Sequence, residues 1–175
     1  MKTNRRNFLL GLGGGGAMLA LGALRQQGPT ELPTDVPLID FHAHLFGVGD
    51  SDSGCFLHDK QRRHWTFDYL KRLLGLHEPE RPGDESIDVQ LVRRLVEHVG
   101  ASSVDRIVLQ AWDGRYTNGK LDLESTTSLY VPNRYMFKVV AQHPELFIPC
   151  ASINPKRSDA LEELEYCAEQ GAPMV

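Results

Sequence analysis

Two histidines one residue apart, His42 and His44, stand at the polar end of an otherwise apolar run, Val36-Pro37-Leu38-Ile39-Asp40-Phe41-His42-Ala43-His44. In an extended chain, side chains two positions apart project to the same side. Leu38, Asp40, His42 and His44 are therefore expected on one face, and Ile39, Phe41 and Ala43 on the other. Alpha carbons at that spacing lie ~7 Å apart, and from there two imidazoles can converge on a divalent ion, each nitrogen ~2.1 Å away. Asp40, one step deeper on the same face, is placed to accept a hydrogen bond from a ligating imidazole and orient it. A His-x-His pair alone is a weak signal. The apolar strand before it and the glycine-bearing loop after it sharpen the expectation of a metal site. The other five histidines (His58, His64, His77, His98 and His143) fall in expected loops or helices without partners.

A second group of polar and aromatic residues, Gln110, Trp112, Asp113 and Arg115, follows the next strand-like segment. Trp112 is a candidate pocket wall, and Arg115 a candidate for holding the carboxylate of a small-molecule substrate. A polar loop with one packing tryptophan is the equal alternative. Three cysteines (Cys55, Cys150 and Cys167) form no C-x-x-C pair, which indicates neither a disulfide framework nor a zinc ribbon. Cys150 and Cys167 read as buried, inert thiols, and Cys55 as a thiol in a polar loop.

These side chains need a scaffold, and the hydrophobic pattern supplies one. The strand ending at His44 is nearly continuous in apolar character, as in a parallel sheet covered on both sides. Residues 47–63 are rich in Gly, Asp, Ser and charge and read as loop. The spacing of Phe67, Leu70, Leu73 and Leu74 predicts a helix over 65–74 with Gly75 as its stop. Asp84 or Ser86 caps a second helix, lined by Leu91, Val92, Leu95, Val96 and Val99 and ended by Gly100. Residues 104–111 read as strand, 133–142 as helix with Tyr135, Met136, Val139 and Val140 inward, and 147–153 as strand. Ser158 caps a last helix, with Leu161, Leu164, Cys167 and Ala168 on its buried face and Gly171 as its stop. Residues 172–175 open a fourth strand. The segment 47–83 is long enough to act as a lid over the site.

Alternation of strand and helix signals a parallel α/β architecture, either a doubly wound sheet or a (β/α)8 barrel. No Gly-x-Gly-x-x-Gly follows the first strand, which speaks against dinucleotide binding. Composition agrees with an ordinary globular body: 41% hydrophobic, 24% charged and a formal net charge of −4. All 23 acidic residues come after position 30, whereas Lys2, Arg5, Arg6 and Arg25 come before it. An acidic body without a basic block argues against nucleic acid as a partner.

The first 25 residues read as an export signal: a short basic start, an apolar run from Phe8 to Leu24, and Ala20-Leu21-Gly22 as a candidate cleavage site. Arg5-Arg6-Asn7-Phe8-Leu9 resembles the twin-arginine signal, which implies the twin-arginine export machinery as a partner and an extracytoplasmic or periplasmic location. Left uncleaved, the same segment would be a membrane anchor. Residues 26–35 read as a linker, and 36–175 as the folded body.

Ile39-Asp40-Phe41-His42-Ala43-His44-Leu45-Phe46 resembles the first-strand motif of the amidohydrolase superfamily. It is most similar to the amidohydrolase-related branch that includes aminocarboxymuconate semialdehyde decarboxylase and related lactonases. Residues 133–174 are similar to that branch too, with a helix ending in His-Pro-Glu, a strand Ile-Pro-Cys-Ala-Ser-Ile-Asn-Pro, and an acidic helix ending in Gly-Ala. The resemblance implies a (β/α)8 barrel, of ~250 residues where complete, so that 36–175 is expected to be its N-terminal half. It implies His42 and His44 as the first two ligands of a divalent metal, zinc being expected, with further histidines and a catalytic aspartate beyond Val175. The implied activity is hydrolysis of an amide, ester or lactone by metal-activated water. A metal-dependent decarboxylase on the same site and a non-catalytic exported remnant or binding protein are the alternatives. The half-barrel alone is not expected to be active.

Overall fold

The computed structural model describes residues 36–125 and 128–175. The expected signal and the linker at 1–35 lie outside the described residues. In chain order the elements are β1 (Ile39–His44), β2 (Phe56–Leu57), α1 (Asp59–Arg62), α2 (Trp65–Leu74), α3 (Ile87–Ala101), β3 (Arg106–Gln110), β4 (Tyr116–Thr117), β5 (Lys120–Leu121), β6 (Leu129–Tyr130), α4 (Asn133–Gln142), β7 (Phe147–Cys150) and α5 (Ala160–Glu169).

The central sheet is three-stranded and parallel, in the order β1-β3-β7. Its helix-side face carries Leu45, Ile107, Leu109, Phe147 and Ala151, which join Val99 of α3, Tyr135, Met136 and Val139 of α4, and Cys167 of α5 in one core. Phe147, Leu109 and Met136 are fully buried there. Beyond β7, Ala151 N–H donates to the Met174 carbonyl at 3.0 Å, and Cys150 and Met174 form a parallel bridge. The chain thus begins to lay a fourth extended segment beside the third. The architecture is α/β, as expected.

Helix ends follow local chemistry. The helices α2 and α4 occupy the ranges their periodicity predicts. Gly75 closes α2 in the left-handed region, φ 64°, with Leu76 N–H reaching the Lys71 carbonyl at 2.8 Å. Of the two candidate caps for α3, Ser86 is the one used, accepting from Val89 N–H at 3.3 Å. Asp84 instead accepts from Glu80 and Arg81 N–H in the preceding turn. Gly100 does not end α3, which runs on to Ala101, and Ser102 closes it through bonds from its N–H and hydroxyl to the Val99 carbonyl.

Three expectations are corrected. The stretch 47–63 is not all loop: it holds β2, which pairs antiparallel with β6, and α1. With α2 it forms a second core, in which Val48, Leu57, Phe67 and Leu76 pack on Ile87 and Leu91 of α3. The helix α5 begins after Asp159 rather than Ser158, and the Asp159 carboxylate accepts from Arg157 instead of capping the helix. Its buried face is also rotated. Glu163 and Cys167 are buried, whereas Leu161 is 72% and Leu164 41% exposed. Glu163 goes inward because Asn133 Nδ2 donates to it at 2.8 Å and Arg157 Nη2 at 3.2 Å.

Burial decides the thiols. The Cys55 thiol is pushed up to about 12, first by burial and then by the charges of Asp88 and Asp50. Burial likewise raises Cys167, to about 11, and raises Cys150. At pH 8 a thiol at about 12 is only about one part in ten thousand thiolate. Native protein is therefore expected to react with a thiol reagent at least ~10-fold more slowly than urea-unfolded protein, read as the rate of chromophore release. Equal rates would show that the thiols are not protected by the fold.

Candidate functional site

The strand β1 is not a plain alternating strand. Its partners in β3 run Ile39 to Arg106, Asp40 to Ile107, Ala43 to Leu109 and His44 to Gln110, so three steps of β1 lie against two of β3. One extra residue is accommodated between Asp40 and Ala43, a β-bulge. Residues in register across a parallel sheet share a face. Ala43 therefore lies with Leu109 on the helix side, and His44 with Gln110 on the side away from the helices. Gln110 in turn is in register with Cys150, so His44, Gln110 and Cys150 form one row across the three carboxyl ends. Within the bulge the Gln110 amide donates to the Phe41 carbonyl at 3.1 Å.

The two histidines come together. Their ring centroids are 4.9 Å apart with the planes at 90°, and both residues are exposed. The ring of Trp112 stands against His44, centroids also 4.9 Å apart. Trp112 is fixed by paired backbone bonds with Val131, 3.1 and 2.8 Å, and remains 43% exposed. Partial burial, and then the neighbouring charge of His42, lower the pKa of His44. A lowered value keeps that ring neutral at neutral pH, with a nitrogen lone pair available to an ion.

The structure gives two of the expected residues other partners. The bulge breaks the alternation between Asp40 and His44, since Asp40 is in register with Ile107 of the helix-side row. Its carboxylate accepts the backbone N–H of His42 at 2.9 Å, a bond within the strand rather than one to an imidazole. Arg115, expected to hold a substrate carboxylate, pairs with Asp122 at 3.5 Å beside the β4–β5 hairpin.

The buried arginine here is Arg157, which the sequence pattern does not single out. Its guanidinium donates to Asp113 at 3.2 Å, to Asp159 at 2.9 Å twice and to Glu163 at 3.2 Å, with its side chain 8% exposed. Asp113 also accepts from Gly114 N–H, the Tyr116 hydroxyl and Asn154 N–H. Asn133 bonds both the N–H and the carbonyl of Ser152. The loops after β3 and β7 are thereby stitched to each other and to α4 and α5, beneath the segment that carries Trp112.

Asp88, also unmarked by the sequence pattern, does the same for the loop after β1. It is fully buried on the first turn of α3 and accepts Val48 N–H at 2.5 Å, Gly49 N–H at 3.1 Å and the hydroxyls of Ser51 and Ser53. Asp50 answers from the loop, accepting Ile87 and Asp88 N–H at 2.7 and 3.0 Å at the helix's positive end. Gly49 is required here: its φ is +84°, and a Cβ would meet the Cys55 carbonyl oxygen at 2.2 Å. The run Asp50-Ser51-Asp52-Ser53 before a capped helix is the one local hint of this lock.

Two imidazoles side by side, one of them held neutral, suit a divalent transition metal as part of its ligand set. Among the described residues, no three His, Cys, Asp or Glu side chains are grouped to hold an ion. The pair would therefore supply at most two of the three protein ligands that a catalytic zinc takes. Among the described residues no helix is long and apolar enough to cross a membrane. Set against known proteins, the chain matches no family model, no curated protein and no solved structure.

Proposed function

We propose that the chain is part of an exported, metal-dependent hydrolase of the amidohydrolase type, acting on an amide, ester or lactone bond, with His42 and His44 as two of its metal ligands. The observation that carries this is the adjacency of the two imidazole rings at the carboxyl end of β1. The barrel form of the α/β fold belongs to the same proposal. In its support, β1, β3 and β7 are parallel neighbours in chain order, and the segment at Met174 lies beside β7. A dinucleotide-type sheet would instead return its fourth strand to the side of the first. Exposed apolar residues also sit where a closed barrel would cover them: Phe41 on β1 is 63% exposed, and Leu161 and Leu164 are exposed on α5.

A divalent ion, with zinc expected, would bring a water of lowered pKa and polarise a carbonyl oxygen. His42 and His44 offer nitrogen donors, and Trp112 walls the side of His44. Gln110 ties off the bulge that sets their strand. Arg157 and Asp88 hold the flanking loops. The third ligand and the proton-accepting aspartate would come from residues other than those described.

Metal content tests the proposal. Protein from the complete reading frame, purified without chelators, is expected to carry a stoichiometric divalent ion by elemental mass spectrometry. The double substitution His42→Ala and His44→Ala should remove it, and the hydrolytic activity with it. Unchanged metal content in that variant would end the proposal.

A further inference from the structure

The helix α2 is apolar on two opposite sides. Phe67 is buried, with Leu70 and Leu74 half-buried around it, and this side packs on the second core. The other side carries Trp65, Tyr69 and Leu73, four residues apart, which are 69%, 62% and 58% exposed. The sequence pattern assigns Leu73 to the buried stripe, and the structure turns it outward. A second apolar stripe on a helix is ordinarily covered as the first one is. Trp and Tyr are also the residue types, with Arg, that dominate binding energy at protein interfaces.

The margin of this outer stripe is what identifies the occupant. Asp68 and Arg72, one helical turn apart, flank the stripe along one edge. The Asp68 side chain is half-exposed and also meets Lys71 at 3.1 Å. Arg72 is exposed and forms no ion pair among the described residues. In a two-fold interface the same patch meets itself, residue i facing j and j facing i. With two α2 helices antiparallel and the axis near Tyr69 and Leu70, each Asp68 faces the other copy's Arg72, and each Trp65 lies toward the other's Leu73. A lipid surface fits less well. Of the nearby cations, Arg62 and Lys71 are paired with Glu78 and Arg63 with Asp59, and the exposed Arg81 in the following loop is outnumbered there by the exposed Glu80 and Asp84.

We propose that the chain self-associates as a two-fold dimer through the Trp65-Tyr69-Leu73 face of α2, with reciprocal Asp68–Arg72 ion pairs across the axis. The test is sedimentation velocity of the full chain over a range of concentrations, with far-UV circular dichroism confirming that each surface variant keeps its fold. Wild-type protein is expected to show a concentration-dependent monomer–dimer equilibrium, and Tyr69→Glu to abolish it. Asp68→Arg and Arg72→Asp alone should each weaken the dimer at least ~10-fold by placing like charges opposite one another. The combined exchange, Asp68→Arg with Arg72→Asp, should restore it. A monomer at every concentration, association that survives Tyr69→Glu, or failure of the exchange to restore the dimer would each overturn the proposal. So would Trp65-dependent binding of a monomer to phosphatidylglycerol vesicles.

Discussion

Replacing Asp88 by alanine should cost the protein roughly 3 kcal/mol, because the substitution strands the buried Val48 N–H, worth ~1–3 kcal/mol when left unpaired, and takes the acceptor from the part-buried Gly49 N–H. The hydroxyls of Ser51 and Ser53 lose their acceptor as well. In urea, a loss of that size should move the unfolding midpoint down by at least ~1 M, given the usual slope for a small domain. Asp88→Asn keeps one carbonyl oxygen for Val48 and should fall between the two. An alanine variant whose midpoint stays within ~0.2 M of wild type, at unchanged slope, would mean that the loop after β1 is held by something other than this carboxylate.

The second large effect is expected at Arg157. Its guanidinium sits among three carboxylates, and two of them, Asp113 and Glu163, are 3% and 6% exposed. Arg157→Met keeps the packing volume but removes the cation, and removing one partner of a buried ion pair costs ~3–5 kcal/mol. The control is Arg134→Ala. Arg134 also reaches Glu163, at 3.5 Å, but is 67% exposed, and such surface pairs are worth at most ~1 kcal/mol. Thermal unfolding of the two variants should therefore separate clearly, and comparable shifts would show that the network contributes no more than a surface contact. The hydrogen bonds from Arg157 hold the Asp159 carboxyl below the usual carboxylate range. A depressed folded value means that this contribution is complete above the ordinary Asp range and disappears as pH falls through the lowered one. Acid titration of wild type should accordingly lose this part of its stability only below about pH 4, the ordinary Asp value.

The helices were readable where a single apolar stripe faces a single core. The Tyr135-Met136-Val139 spacing and the proline after His143 define α4 without help from the rest of the chain. Periodicity failed where polar groups take buried positions. Glu163 turns α5 so that two leucines face outward, a choice made by Asn133 and Arg157 from elsewhere in the chain. Leu73 belongs by spacing to the same stripe as Phe67, yet α2 carries apolar residues on two sides and only one of them meets the core. The short strands β2 and β6 escaped notice because two-residue strands have no period to detect.

For the candidate site, the histidine pair and Trp112 were found from strand-end chemistry, and the structure brings them together. Asp40 was misplaced because alternation assumes a regular strand, and a bulge leaves no mark in a six-residue segment. Arg115 was preferred to Arg157 by its position after a strand. What distinguishes the two is burial among acids 44, 6 and 2 residues away, which no local pattern contains.

The extra residue in β1 makes the strand a parity switch. Below it, toward Ile39, inside and outside follow one count; above it, toward His44, they follow the opposite one. Deleting Phe41 would remove the bulge and leave a regular strand, with His42 in the row of Val108 and with Ala43 and His44 still in register with Leu109 and Gln110. Spacing between Asp40 and the histidines can therefore shrink by this one residue without exchanging the two faces of the strand, whereas the loss of a second would exchange them.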